Sequence, residues 1–180
     1  MANTWMNNDG LFVKFGHAEG EVASGGEKEI DGNRVLIEVK IPYTELLSAT
    51  DAIIGSVANP GAMGVQLPEG LRIEAIETVV TTAFTSSGTI GSATLVLGAK
   101  KASDRSTELD HNGLLTASFT GGNLDAVGER TYIVPGSTGA GALIGTTISE
   151  NGVLSASNSA HGSHPYTAGV LKVRIWGFYP

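Results

Sequence analysis

Apolar and polar residues alternate along four stretches of the chain, as they do in β-strands that are buried on one face. From Val35 to Ile41 the odd positions carry apolar side chains, whereas Glu38 and Lys40 point the other way. Positions 171–175 repeat this pattern, with apolar residues alternating with basic ones. The predicted strands are Val35–Ile41, Leu71–Phe84, Ser92–Ala99 and Val170–Phe178.

The segments between these strands are rich in glycine, serine, asparagine and proline, which tolerate turns. The best helical candidate, Tyr43–Ser48, is about a turn and a half long and follows Pro42, which ends the preceding strand or places it at a sheet edge. Apolar residues change parity near Ala75 and Ile76, which predicts a β-bulge. The pattern as a whole predicts an all-β fold: an antiparallel β-sandwich, jelly-roll-like, with roughly six or more strands and very little helix.

The dipeptide Asn-Gly occurs twice in similar surroundings, at Asn112-Gly113 and at Asn151-Gly152. Asn-Gly favours type I′ turns, which require positive φ at both central residues. The similarity between the two Asn-Gly segments is therefore explained by two similar hairpins or by a short internal duplication. We favour the hairpins, because two copies are too few for a repeat architecture.

Composition narrows the classes of function. A chain of 180 residues has the size of one domain or of two very small ones, and it can bury a core without cross-links. Its 11 basic and 18 acidic residues give a net charge of −7, so we expect no nucleic-acid partner. The absence of cysteine excludes disulfides, thiolate metal sites and a cysteine nucleophile. Charged residues make up only 16%, which leaves neutral surface available to a partner protein.

The glycine-rich stretch Gly136–Gly145 is a candidate phosphate loop, because backbone amides in such loops cradle phosphates. A P-loop ends in Gly-Lys-Ser/Thr, however, and no lysine lies between Lys101 and Lys172. The segment that follows, Thr146–Ser149, resembles a strand and not the helix of a dinucleotide site. We therefore expect a flexible loop or a subunit contact, and no cofactor.

Other groupings of titratable residues are weak signals. His161 and His164 stand three apart, but the glycine, serine and proline around them indicate a loop with solvated histidines. Asp104, Glu108 and Asp110 lack the spacing of a calcium loop, which indicates exposed turn residues. No G-x-S-x-G motif supports a catalytic triad. We expect no catalytic residue, no metal site and no enzymatic activity.

The start of the chain has neither a basic region nor an apolar stretch, so we expect no secretory signal peptide. The longest weakly polar tract, Ala52–Leu67, is interrupted by Asn59-Pro60-Gly61 and is too short to span a bilayer. We expect the product to remain in the compartment where it is made and not to bind a membrane.

Trp5 and Met6 stand among asparagines, which places an apolar pair on a polar terminal segment. Such a segment is ordered only when it docks, either on a neighbouring chain or on its own domain, and both alternatives are open. We expect residues 1–10 to form an N-terminal arm and residues 11–180 a single β-sandwich domain. The predicted partner-contact residues are Trp5, Met6, Leu11, Phe12 and Phe15.

Four stretches of the chain resemble a known family. They are Trp5–Gly16, Ser106–Leu115, Ser137–Gly145 and Val170–Tyr179, and they are similar to tailed-bacteriophage virion proteins of the capsid decoration, or cement, kind. The similarity touches both ends and the middle of the chain. It implies a β-rich protein that binds the outer capsid lattice, often as an oligomer at symmetry axes, without enzymatic activity.

The sequence thus leads to the hypothesis of a non-enzymatic virion protein that binds the outer surface of the capsid lattice as a decoration or cement protein. Its predicted partners are the major capsid protein of the same phage and further copies of itself, as a homo-oligomer for which we predict a trimer. Its predicted location is the capsid surface, after synthesis in the host cytoplasm. The alternative is a carbohydrate- or receptor-binding β-sandwich module of a phage tail or fibre, which would require exposed aromatic residues with carboxylates at one loop end.

Overall fold

The structure is a computed structural model, and it describes residues 4–6, 12–14, 27–31, 33–47, 49–55, 64–116 and 120–180. Within these ranges the regular structure is twelve strands and three short 3₁₀ helices. In the described part of the chain, no helix has the length and apolar character needed to cross a membrane. The strands are β1 (Thr4–Met6), β2 (Phe12–Lys14), β3 (Glu27–Asp31), β4 (Arg34–Pro42), β5 (Ala52–Ile53), β6 (Gln66–Leu67), β7 (Arg72–Ser86), β8 (Val96–Lys101), β9 (Glu108–Leu115), β10 (Arg130–Ile133), β11 (Gly152–Ser157) and β12 (Tyr166–Phe178), and the 3₁₀ helices are Tyr43–Leu46, Ile90–Ser92 and Gly121–Asn123.

The strands form two five-stranded antiparallel sheets and one separate pair. Sheet I has the order β10-β7-β12-β4-β3. Sheet II has the order β5-β11-β8-β9, and β6 also pairs with β11. The separate pair joins β1 to β2. The expectation of an all-β, antiparallel fold is confirmed.

The pairing order is that of a jelly roll, a long antiparallel ribbon rolled up so that its parts form two facing sheets. The strands from β4 to β12, apart from β6, form nested pairs in which the first strand pairs with the last. These pairs are β4 with β12, β5 with β11, β7 with β10, and β8 with β9. Rolling then adds β7 against β12 in sheet I and β8 against β11 in sheet II. The jelly-roll prediction is therefore confirmed as well.

The core lies between the two sheets. Alternate residues of β12, namely Leu171, Val173 and Ile175, are almost fully buried and belong to one apolar cluster with Leu97 of β8 and Leu154 of β11. Each such side chain contributes about 1.5–3 kcal/mol when it is removed from water. Burial between the sheets is thus the main source of stability.

The alternation pattern located the long strands well. β4, β7 and β12 each contain most of a predicted strand, and Tyr43–Leu46 forms a 3₁₀ helix at the predicted helical position. The predicted bulge is also present, because the register between β7 and β12 shifts by one residue between Ile73 and Ala75. Ala75 and Ile76 are consequently both buried, although they are neighbours.

The strand predicted at Ser92–Ala99 begins later than expected, since β8 starts at Val96. Upstream of it, the Thr94 amide donates to Oδ1 of Asn158 over 3.2 Å, and the Thr94 hydroxyl donates to the same oxygen over 3.3 Å. Thr94 thus bonds to the Asn158 side chain, and it also forms an isolated antiparallel bridge with Thr120 instead of belonging to β8.

The expectation of two Asn-Gly hairpins is wrong. Gly113 lies inside β9 and Gly152 begins β11, and neither glycine has a positive φ. Both glycines instead allow another segment to approach closely. A Cβ atom on Gly113 would lie 2.5 Å from Cγ of Leu143, and one on Gly152 would lie 2.8 Å from Cδ1 of Leu109.

The glycine-rich loop Gly136–Gly145 connects β9, an edge strand of sheet II, to β7 of sheet I. The Leu143 amide donates to the Gly113 carbonyl of β9 over 2.8 Å, and the Gly145 amide donates to the Ile73 carbonyl of β7 over 2.7 Å. Gly145 has a φ of 87°, a conformation that favours glycine. These backbone groups cover strand edges that would otherwise be open to pairing with another chain.

The replacement Gly98→Ala should destabilise the protein, because a Cβ atom on Gly98 would collide with the carbonyl oxygens of Asp110 and His111. Overpacking against backbone costs about 1–3 kcal/mol, so we expect the Tm to fall by roughly 2–10 °C in differential scanning calorimetry. The control is Gly162→Ala, where the added Cβ meets nothing within 4 Å and the Tm should change little. Equal shifts in the two variants would contradict this packing role.

Candidate functional site

The outer face of sheet I exposes two large aromatic side chains. Trp176 of β12 is 38% exposed and Tyr132 of β10 is 63% exposed. Both strands pair with β7, so the two residues share one sheet. Other large apolar side chains that are exposed in the described part of the chain lie outside the strands, at Leu47, Val127 and Val134.

Five charged side chains form a network across four neighbouring strands of the same face. Arg174 stands at its centre, with Nε 2.7 Å from Oε2 of Glu38 and Nη1 2.9 Å from Oε2 of Glu77. Nζ of Lys172 lies 3.0 Å from Oε1 of Glu38, and Nη1 of Arg130 lies 3.1 Å from Oε1 of Glu77. Three cations and two carboxylates thus largely neutralise one another.

The register of the strands produces this network. Arg174 lies opposite Glu38 on one side and opposite Glu77 on the other. Side chains in such cross-strand positions are neighbours on the same face, so each carboxylate lies within reach of the guanidinium. Alternation in the sequence predicted that Glu38 and Arg174 face away from the apolar side of their strands. It did not reveal which strands would be adjacent.

The neighbouring cations keep the carboxylate of Glu38 ionised. Burial by itself raises the pKa of Glu38, but hydrogen bonds from Arg174 and Lys172, together with their charges, outweigh it and hold that pKa below its ordinary value. The hydrogen bonds that Arg174 donates to the carboxylates of Glu38 and Glu77 raise the pKa of Arg174. Glu38 and Arg174 therefore remain charged and paired with each other at neutral pH.

The residues predicted to contact a partner lie mostly beyond what the structure describes. The backbone places Trp5 and Met6 on β1 and Phe12 on β2, with Met6 opposite Phe12, but their side chains are outside the described part. Leu11 and Phe15 lie outside the described residues altogether. The contact role of all five residues, and the division into an arm of residues 1–10 and a domain of residues 11–180, stay predictions.

The two histidines at three-residue spacing have different environments. Nδ1 of His164 accepts a hydrogen bond from the Thr89 amide over 3.0 Å, and its carbonyl accepts one from Nδ2 of Asn158 over 2.8 Å. Nδ1 of His161 is buried without a hydrogen-bond partner. His164 therefore fastens the loop that leads into β12, a role that spacing in the sequence did not indicate.

Asp104 lies in the turn between β8 and β9. Its carboxylate accepts hydrogen bonds from the Thr107 hydroxyl over 2.6 Å and from the amides of Ser106 and Thr107 over 2.9 Å each. These bonds lower the pKa of Asp104 to about 2. Asp104 is thus an exposed turn residue, as expected, but the same expectation is wrong for Glu108 and Asp110, which lie in β9.

No protein-family model matches the chain, and no curated protein matches it. Among solved structures, the fold is similar to a chain described as "Cyanophage Pam1 capsid asymmetric unit". The two are 15% identical, and the match has a TM-score of 0.51 and covers 92% of this chain and 98% of the other. The jelly roll of this chain thus has a counterpart of nearly the same extent.

Replacement of Glu38 by glutamine should destabilise the protein at neutral pH and have little effect in acid. Because the folded pKa lies below the reference value of 4.5, ionised Glu38 stabilises the fold above that value, and this contribution is lost as the pH falls through the folded pKa. We expect a loss of about 1 kcal/mol, or roughly 2–4 °C in Tm, at neutral pH.

Thermal melts at neutral pH and at about pH 2 measure this dependence, and the melting curves of the two proteins should converge in acid. The matched control is Glu150→Gln, which removes a single exposed pair with Lys101 and should change the Tm less. A Tm difference for Glu38→Gln that is independent of pH would contradict the assignment.

Proposed function

We propose that this chain is a non-enzymatic structural protein of a phage virion, which binds the outer surface of the capsid lattice as a decoration or cement protein. The observation that carries the proposal is the jelly-roll fold shared with a chain of a cyanophage capsid asymmetric unit, over nearly the full length of both. The resemblance of four stretches of the sequence to decoration proteins supports the same role.

The outer face of sheet I is the surface we assign to contact with the major capsid protein. Tryptophan, tyrosine and arginine are the residues that most often dominate the binding energy of protein interfaces. Trp176, Tyr132 and Arg174 lie together on this face. The charges there are already paired within the chain, which reduces the cost of removing water from them on docking.

The N-terminal arm is proposed as a second contact. β1 pairs with β2, which in turn contacts β3 at the edge of sheet I. In this proposal Trp5 and Met6 provide apolar area that anchors the arm to a neighbouring subunit, with Leu11, Phe12 and Phe15 beside them.

Self-association is part of the same proposal. With only 16% charged residues, the chain has much surface of low polarity, which symmetric oligomers commonly bury. Capsid lattices provide threefold and quasi-threefold positions, for which a trimer is the matching order. The trimer stays a prediction.

Electron microscopy of the purified parent particle, labelled by antibody against this chain, tests the function. Label spread over the capsid surface is the expected result. Label confined to the tail or fibre would overturn the capsid role and favour the carbohydrate- or receptor-binding module. Absence of the chain from purified particles would overturn any virion role.

The two tryptophans can be tested on particles stripped of this chain and then incubated with variants. Truncation of an anchoring tryptophan typically costs about 2 kcal/mol or more, so Trp176→Ala should bind roughly thirtyfold more weakly at each site. Val127→Ala is the control, because Val127 is exposed but lies in a turn outside the strands. Equal occupancy of wild type and Trp176→Ala would show that the outer face of sheet I is not the surface that contacts the capsid.

The same occupancy assay decides the role of the arm. Trp5→Ala should lose occupancy while it keeps the wild-type Tm. A lowered Tm with unchanged occupancy would show instead that Trp5 packs against its own domain.

A further inference from the structure

Strand β9 bulges strongly against β8. Leu97 pairs with Leu115, and Ala99 pairs with Asp110. An advance of two residues along β8 therefore corresponds to five residues along β9. Gly98 permits this, because the bulged backbone passes where a side chain at position 98 would project. Bulges of this kind redirect side chains away from the regular alternation of a strand.

The bulge brings two residues of β9 next to the segment that precedes β5. Nδ1 of His111 lies 2.7 Å from Oδ2 of Asp51. One potential ligand atom from each of Asp51, Glu108 and His111 lies within 4.8 Å of the other two. Asp51 is 60 residues from His111 in the sequence, and no spacing motif connects it with Glu108 and His111.

Asp51 is the unusual member of this cluster. Its side chain has 0% exposure, and Oδ1 is buried without any hydrogen-bond partner. The nearby ammonium of Lys100 donates to the backbone carbonyl of Asp51, over 3.0 Å. An unsatisfied oxygen on a buried carboxylate is costly, so the site lacks a positively charged or proton-donating partner at Oδ1.

We propose that Asp51, Glu108 and His111 bind a divalent transition-metal ion, with zinc as the best fit. One imidazole nitrogen with two carboxylate oxygens is a donor set that zinc accepts, and three protein ligands leave a fourth position for water. The proton between Nδ1 and Oδ2 passes to solvent when the ion binds. Two carboxylates then balance the two charges of the ion, and Oδ1 of Asp51 gains a partner when this carboxylate binds through both oxygens.

The site is accessible and would act as a cross-link. The His111 side chain is 41% exposed and Glu108 is exposed, so an ion can enter from solvent while Asp51 anchors it from inside. The ligands join the segment before β5, at one edge of sheet II, to β9 at the other edge. In a chain without cysteine, a metal ion is a means of fixing segments 60 residues apart. The site does not depend on the proposed virion function.

Calorimetric titration of the full chain, first stripped with EDTA and dialysed, with zinc chloride tests the proposal. We expect saturable binding of one zinc ion per chain, and a rise in Tm of about 5 °C or more at a hundredfold excess over the dissociation constant. Magnesium chloride should have no comparable effect, because imidazole is a poor ligand for magnesium. Absence of saturable zinc binding would show that Asp51 and His111 form an ion pair only, and would overturn the proposal.

Variants locate the ion. Glu108→Gln changes an exposed residue, so the protein should fold normally and bind zinc roughly tenfold more weakly or worse. His111→Ala should have a larger effect. His161→Ala is the control for incidental binding by the loop histidines and should retain wild-type affinity. Unchanged affinity in either ligand variant, or its loss in the control, would overturn the assigned ligand set.

Discussion

Sheet I forms only when β12 is in place between β4 and β7. Both of these strands pair with β12, and they do not pair with each other. The same strand contributes Leu171, Val173 and Ile175 to the core and Arg174 to the outer network. Both faces of sheet I therefore depend on the last strand of the chain. Arg174 and Glu38 are separated by 136 residues, so the formation of sheet I requires non-local pairing, which is slow compared with the formation of local turns.

The local patterns in the sequence predicted strands better than they predicted their neighbours. Alternation identified β4, β7 and β12, since each is buried on one face, and the parity change identified the bulge at Ala75. Pairing partners follow from the roll of the whole ribbon, on which local periodicity carries no information. The ion network on sheet I and the cluster of Asp51 with His111 could not be predicted for the same reason, as their members meet only after the sheets form.

Glycine gave the least reliable signal. Asn112-Gly113 and Asn151-Gly152 have the sequence of tight turns, yet Gly113 and Gly152 have strand conformations and allow close contact with Leu143 and Leu109. A glycine required for its missing side chain and a glycine required for its positive φ look the same in a single sequence. The structure separates the two cases, and it shows that the similarity between the two Asn-Gly segments does not come from a pair of hairpins.

The outer face of sheet I combines two properties that suit docking on a large, repetitive surface. Its charged groups are hydrogen-bonded to one another. Each charge therefore keeps a counterpart when the face is buried, even if the partner provides no charges of its own. Selectivity must then come from the shape and apolar contact of Trp176 and Tyr132, which are less sensitive to salt than ion pairs between subunits. Under the proposed function, this predicts an attachment that is less sensitive to ionic strength than one made by ion pairs between subunits.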